Sequence, residues 1–356
     1  MSFSRAILEI DLKKIADNYQ ALRNLCMAAE LAIALKANAY GLGADKVAPI
    51  IERAGCRNFF VARLDEGIDL RKVVSNANIY VLDGMFAGEE KIFVKHKMIP
   101  ILNHLDQIEN WQKFNSKHNL PYGLHTDTGM HRLGIPPEEW EQLISNDYVM
   151  HKYPPALVMS HLCAGENSSC LQSQKQLTIF DKIRKFFPHS KISLANSSGI
   201  FLGKAYHFDM ARVGIALYGV TDNQEINLQN PISLFAPIIQ LKTLKADNTI
   251  GYNMTFTTKR DSIIATLPIG YADGYSRAFS NKGRVYINGH YADVVGNVSM
   301  DLITIDVTHI PNLRLGMLAE IIGPHCSPQY VASQVGIIGY EILTNLGKRY
   351  KRVYKY

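Results

Sequence analysis

The sequence contains no run of 18 apolar residues, so no segment reads as a membrane-spanning helix. It also lacks an apolar leader, because Glu9 and Asp11 interrupt the one short apolar run near the start. No signal peptide is expected, and a soluble cytoplasmic protein is the default. Cysteines are few and scattered: Cys26, Cys56, Cys163, Cys170 and Cys326 are an odd set with no Cys-x-x-Cys pair, and no histidine pair has zinc spacing. Neither a disulfide framework nor a structural metal is expected. No Gly-x-Gly-x-x-Gly follows the first apolar strand, so nothing asks for a dinucleotide fold. The excess of positive charge, +6, is concentrated late in the chain, in Lys348, Arg349, Lys351, Arg352 and Lys355. Without a longer basic stripe or a base-reading motif, this reads as a solvated basic segment, and no nucleic-acid partner is expected.

What is present is a chain of 356 residues, 47% hydrophobic, enough for one large domain and a smaller one. Within residues 31–44 an apolar run, 31–35, reads as a buried strand. Lys36 stands where that run ends, and Asn38, Tyr40, Gly41 and Gly43 follow, so the chain turns there. A poorly solvated lysine has a lowered pKa and serves as a nucleophile or base. The same position also suits a lysine whose ammonium simply reaches out to water. The rest of the chain has to decide between the two.

A βα pattern surrounds this stretch. Residues 11–29 have helical periodicity, with Leu12, Ile15, Tyr19, Leu22 and Leu25 on one face and Asp11 placed to cap them. Strands are expected at 31–36, 58–63, 78–83, 98–102, 122–127, 156–162, 191–196 and 208–213, with helical segments between them. Eight βα units imply a parallel sheet that can close into a barrel; an open doubly wound sheet is the alternative. After about residue 230 the pattern changes to alternating strands at 238–244, 262–267, 284–287, 291–296 and 301–307, with Asn288-Gly289 as a hairpin turn. The fold class is therefore α/β: an N-terminal (β/α)8 barrel over 11–230, and a mainly β domain over 231–356. Residues 1–10, strand-like from Arg5 to Ile10, flank the barrel and could pair with that second domain.

Active sites of βα barrels form at the C-terminal ends of the strands. Those ends carry Lys36 and Tyr40, Arg63, His125 and Asp127 with Arg132 in the next turn, His161, then Asn196, Ser197, Ser198 and Gly199, and finally Arg212, Gly214 and Ile215. So many polar groups at one mouth suggest a site for an anionic ligand. The turns after strands seven and eight, with their backbone N–H groups, suit a phosphate. A lysine and a phosphate cradle on one mouth are what pyridoxal 5′-phosphate needs.

Several motifs then match one family in order along nearly the whole chain, from Glu9-Ile-Asp to Tyr340-Glu341. Lys36-Ala-Asn-Ala-Tyr-Gly-Leu-Gly, Asp127-Thr-Gly-Met-His-Arg-Leu-Gly, Ala195-Asn-Ser-Ser-Gly, Arg212-Val-Gly-Ile, Ile269-Gly-Tyr-Ala-Asp-Gly-Tyr and Ser299-Met-Asp closely resemble the motifs of alanine racemase. The resemblance implies a barrel plus β domain, pyridoxal phosphate as cofactor, and a homodimer with shared active sites. It implies that Lys36 holds the cofactor and acts as one base, with Tyr271 of the partner subunit as the other. It implies that Tyr40, Ser197, Gly214 and Ile215 hold the phosphate and that Arg212 donates to the pyridine nitrogen. His161 would lie against the ring, with Asn196 also at the cofactor. Arg132 and the backbone N–H of Met300, the latter again from the partner, would bind the substrate carboxylate. On this reading His161 and Arg212 supply the positive charge that lowers the pKa of Tyr271, and Asp301 orients its neighbour.

The implied activity interconverts L- and D-alanine, supplying D-alanine for cell-wall peptidoglycan. A racemase for another small amino acid such as serine, and a non-catalytic cofactor carrier, remain the alternatives. A decarboxylase of similar architecture is disfavoured, because Ser299-Met300-Asp301 has no cysteine. There are three departures from the family pattern, one of them Gly165-Glu-Asn, where a more acidic stretch is commoner. His125 stands where some members carry a carbamylated lysine, so Arg132 has to be placed by another means, such as a bound anion. Some members also use a late tyrosine against the phosphate; with Lys348-Arg-Tyr-Lys-Arg in the stretch matched to it, either Lys348 substitutes or the contact is absent.

Overall fold

The structure, a computed structural model, describes residues 6–26, 28–167, 170–221, 223 and 226–356. Arg5, where the first strand was expected to begin, lies outside the described residues. The chain starts with β1 (Ile7–Asp11), whose Leu8 and Ile10 are buried. Asp11 ends that strand and caps the next helix, Leu12–Leu25, its Oδ1 accepting from the Lys14 N–H at 2.9 Å. Leu12, Ile15, Tyr19 and Leu22 form the buried face as expected; Leu25, at the helix end, is exposed.

Eight short parallel strands follow: β2 (Glu30–Ala34), β3 (Asn58–Val61), β4 (Asn78–Val81), β5 (Met98–Leu102), β6 (Gly123–His125), β7 (Leu157–Met159), β8 (Lys191–Ser193) and β9 (Met210–Val213). Each pairs with the next from β2 to β8, and β2 also pairs with β9. The gap between β8 and β9 is bridged by two backbone bonds, Asp209 N–H to Ile192 O (3.0 Å) and Arg212 N–H to Ala195 O (2.9 Å). The ring is thus a nearly closed barrel and not an open sheet. Ala32, Phe60, Tyr80, Ile99, Ile101, Leu157, Met159 and Met210 fill its interior, so the barrel is packed and its usable space lies at its ends.

The remaining strands are β10 (Ile232–Pro237), β11 (Gln240–Leu244), β12 (Thr249–Ile250), β13 (Phe256–Thr257), β14 (Ser262–Leu267), β15 (Arg284–Ile287), β16 (His290–Val294), β17 (Ile303–Asp306), β18 (Leu318–Ile322) and β19 (Lys351–Lys355). Nine strands form one sheet in the order β11-β14-β17-β16-β15-β18-β10-β1-β19. The Asn288-Gly289 hairpin joins β15 and β16 with both residues at positive φ, 48° and 85°, as a type I′ turn requires. β1 runs antiparallel to β10 and parallel to β19, so the first described strand belongs to the β domain. β10, β18, β19 and the small β12–β13 pair were not anticipated. The expected strand at 238–244 begins instead at Gln240, after β10 has ended at Pro237.

One buried side chain pins the barrel's first helix to the segment leading into the β domain. Asn18 donates to Leu217 O (3.0 Å) and Gln229 O (2.8 Å) and accepts from the Gln229 N–H (2.8 Å). Asn18→Leu would strip partners from three backbone groups, and each buried orphan costs about 1–3 kcal/mol. We expect a loss of about 3 kcal/mol or more in urea unfolding, with the denaturant slope unchanged.

Candidate active site

At β2 the strand's regular pairing ends with the Leu35 N–H bonded to Phe60 O (2.8 Å), and Lys36 begins a single turn of unusual hand. Ala37, Asn38, Ala39 and Tyr40 lie at φ 52°, 55°, 55° and 53°, the left-handed region. L-residues pay about 1–2 kcal/mol each there, so such a turn persists only when its surroundings hold it. Glu66 is one clamp: Oε1 accepts from the Ala37 N–H (2.6 Å), and Oε2 accepts from Ala62 (2.8 Å) and Arg63 (3.2 Å). Asn38 Oδ1 accepts from the Ala44 N–H at 2.9 Å. From the far end of the chain, Arg352 Nη1 donates to Gly41 O (2.6 Å) and the Tyr354 hydroxyl donates to Leu42 O (3.0 Å).

The turn aims Lys36 and Tyr40 into a cavity of about 260 Å³ at the C-terminal ends of the barrel strands. Its lining includes Arg132, His161, Asn196, Ser197, Arg212, Gly214 and Ile215, with Ala34, Phe60, Leu82 and Met159 as an apolar floor. Every barrel residue named above for the cofactor or substrate is thus on one cavity. Tyr340, from the helix Gly339–Thr344, lines it too, its ring 6.2 Å from that of Tyr40. Lys348 is exposed and outside that lining, so the late aromatic at the site is Tyr340, which the family resemblance reached but to which it assigned no role.

The cavity's charges have physical causes. Removal from water, reinforced by the positive charge of Arg132, lowers the Lys36 pKa, while Glu66 and Asp83 oppose the shift. Arg212 is buried at 6% exposure and donates to Ser193 Oγ, Ser160 O and Leu194 O through Nη1 and Nη2. Its Nε–H has no acceptor among the described residues. Burial draws its pKa down to about 9, which leaves it charged at neutrality. His161 is held well below the usual histidine value by desolvation and by Arg212 and Arg132. It is therefore neutral, and the expectation that His161 supplies positive charge is corrected. His125 bonds Asn103 Oδ1 through Nδ1 at 2.9 Å and is drawn down to about 4 by burial and by Arg212.

The turn bearing Arg132 is shaped by Asp127. Its carboxylate accepts from the backbone N–H groups of Gly129 (2.9 Å), Met130 (2.9 Å) and His131 (3.0 Å). Burial alone would raise its pKa; the three N–H bonds win and keep it below the ordinary value. These bonds give physical meaning to the Asp127-to-Arg132 motif.

A second group of residues forms a cradle. Ser197 Oγ accepts from the Gly214 N–H (2.9 Å) and the Ala216 N–H (3.4 Å). The Tyr40 hydroxyl approaches Gly214 so closely that a β-carbon there would lie 2.1 Å from it, so only glycine fits. Asn196 Oδ1 accepts from the Gly199 N–H at 2.9 Å and fixes the turn after β8. Polar groups on Tyr40, Ser197 and Tyr340 and the Ile215 turn converge here, as an anion requires. A desolvated amine, a buried guanidinium with an unused N–H and this cradle suit a group that is both aldehyde and phosphate.

Tyr271 and Met300 are not in the lining of their own chain's cavity. They are 44% and 52% exposed, and adjacent turns carry them: the Tyr271 N–H bonds Ser299 O (3.1 Å) and the Ala272 N–H bonds Met300 O (3.0 Å). Among the described residues no cluster of metal-ligating side chains occurs, and no helix is long and apolar enough to cross a membrane.

Comparison with known proteins gives the chain a family. The family model "Alanine racemase, N-terminal domain" matches residues 10–222, and "Alanine racemase, C-terminal domain" matches residues 232–354. The chain is 49% identical over 356 residues to the alanine racemase of Rickettsia akari (strain Hartford), covering 99% of both. It is 48% identical to that of Rickettsia canadensis (strain McKiel), again covering 99% of both. Among solved structures, alanine racemase from Bartonella henselae with covalently bound pyridoxal phosphate matches at a TM-score of 0.95 and 41% identity, covering 99% of each chain. The biosynthetic alanine racemase of Pseudomonas aeruginosa matches at 0.92 and 28% identity, covering 99% of this chain and 100% of that one. With both halves matched and relatives similar from end to end, this chain belongs to the alanine racemase family.

Proposed function

We propose that this chain interconverts L-alanine and D-alanine with pyridoxal phosphate, in a homodimer whose subunits share active sites. The observation that carries the reading is one cavity holding the desolvated Lys36, the buried Arg212 and the Tyr40–Ser197–Gly214 cradle. Lys36 would hold the cofactor through Nζ. Tyr40, Ser197, Gly214, Ile215 and Tyr340 would surround its phosphate, with Asn196 and His161 beside it. Arg212 would face the pyridine nitrogen with its unused N–H. When bound, pyridoxal phosphate supplies the electron sink that acidifies the substrate Cα–H.

The chain's own residues then move the proton. Desolvation and Arg132 lower the Lys36 pKa and so ease loss of the ammonium proton, which suits Lys36 to take or return the Cα proton on one face. A second base on the opposite face lets the product leave inverted without the substrate turning over. Tyr271 of the partner subunit fits that role, since this chain's Tyr271 stands exposed and outside the cavity lining. An unperturbed tyrosine has a pKa of about 10 and needs nearby cations. With His161 neutral, the arginines Arg212 and Arg132 remain to supply them. Arg132 and the Met300 N–H of the partner subunit would receive the substrate carboxylate.

Incubation of the pure protein with pyridoxal phosphate and L-alanine should abolish optical rotation. Decay with serine but not alanine would move the substrate; no decay with any amino acid would sink the reading. Lys36→Ala should lose the absorption of covalently held cofactor and roughly 10³-fold or more in rate.

Shared sites give a separate prediction. Lys36→Ala and Tyr271→Phe are each inactive as homodimers. Co-expressed in equal amounts, they should recover about a quarter of wild-type activity, because about half of the dimers are mixed and each mixed dimer carries one intact site. A dead mixture would mean that both bases come from one chain.

A further inference from the structure

The sequence reading left Arg349 in a solvated basic segment. In the structure its guanidinium is bound on three sides. Nε donates to Asp273 Oδ1 and Nη2 to Asp273 Oδ2, both at 2.7 Å, a bidentate pair. Nη1 donates to Asp301 Oδ1, also at 2.7 Å. Asp273 is 4% exposed and closes the turn that begins at Gly270, its Oδ2 accepting the Gly270 N–H at 2.9 Å. Tyr271 is on that turn. Asp301 directly follows Met300 on the neighbouring turn.

The backbone brings the same pieces together. The two turns exchange Tyr271 N–H to Ser299 O and Ala272 N–H to Met300 O. Gly270 packs so tightly on the second turn that a β-carbon there would lie 2.4 Å from the carbonyl oxygens of Ser299 and Met300. The Gly347 N–H donates to Asp273 O at 2.9 Å, which brings the segment bearing Arg349 alongside. Among the described residues, only the guanidinium joins both carboxylates. Without it, a buried Asp273 loses its bidentate partner and two acidic groups are left sharing one corner.

We infer that Arg349 is a positioning residue: it sets Tyr271 and the Met300 N–H at a fixed spacing, so that both reach the partner's cavity as one rigid unit. This rests on the proposed function above. The chemistry asks for rigidity here, because a base displaced by about 1 Å can cost about 100-fold in rate. Lysine cannot replace this arginine, since an ammonium cannot make the three directed bonds of the planar fork.

The experiment uses the complementation pairs already described. Arg349→Met should keep its covalently held cofactor and lose about 10–100-fold in kcat, and Arg349→Lys should do little better. Co-expressed with Lys36→Ala, Arg349→Met should recover about a quarter of wild-type activity, because the mixed dimer pairs an intact Lys36 with an undisturbed Tyr271. Co-expressed with Tyr271→Phe it should stay at its own low level. Recovery with both partners or with neither, full activity of Arg349→Met alone, or full rescue by Arg349→Lys would each overturn the inference. The failure of the proposed function itself is distinguishable: the wild-type chain would not racemise alanine, or the Lys36→Ala and Tyr271→Phe pair would not complement.

Discussion

The backbone turn at Lys36 is the constraint on which the site depends. Four consecutive L-residues at positive φ cost on the order of 4–8 kcal/mol together, and the local bonds, such as Asn38 Oδ1 to the Ala44 N–H, are only part of what holds them. The rest comes from elsewhere in the fold. Glu66 accepts three backbone N–H groups, and Arg352 and Tyr354 reach across from the last strand of the β domain. The turn points both Lys36 and Tyr40 into one cavity, a separation of four residues that a strand or an ordinary helix start would have splayed differently. The β domain thus has a second task beside carrying Tyr271: it braces the lysine of the barrel it follows.

The cavity concentrates positive charge while neutralising its histidines. Arg212 keeps its proton although buried, and desolvation together with Arg212 and Arg132 holds His161 well below the usual histidine value. The amine of Lys36 feels the same field and gives up its proton more readily for it. An anionic cofactor and a carboxylate substrate suit such a field, and a neutral imidazole beside them adds surface without adding charge. His125 follows the same logic: burial and Arg212 hold its pKa down to about 4, and its Nδ1 is bonded to Asn103.

The eight barrel strands were legible because each is a short apolar run ended by a polar turn, and both faces of such strands are buried. β19 was not, because its sequence Lys-Arg-Val-Tyr-Lys reads as solvated charge; it is an edge strand, where charge is tolerated and protective. β10 was hidden by Pro237 at its end and by β11 close behind it. At the site, the residues that touch the cavity stand at strand ends and could be read from that position. Glu66 and Arg349 could not, because they act on backbone groups or on carboxylates distant in sequence, and no spacing rule marks them. Tyr340 was named as the end of the resemblance but given no place at the site, because it approaches the mouth from the β domain's side on a short helix.

The bond from Arg352 to Gly41 O joins residues 311 positions apart. On a ribosome, the eight strands of the barrel emerge and can pair long before Arg352 exists. The lysine's turn therefore stays without one of its braces until almost the whole described chain has been made. β19 thus completes a brace that the barrel strands cannot supply for themselves.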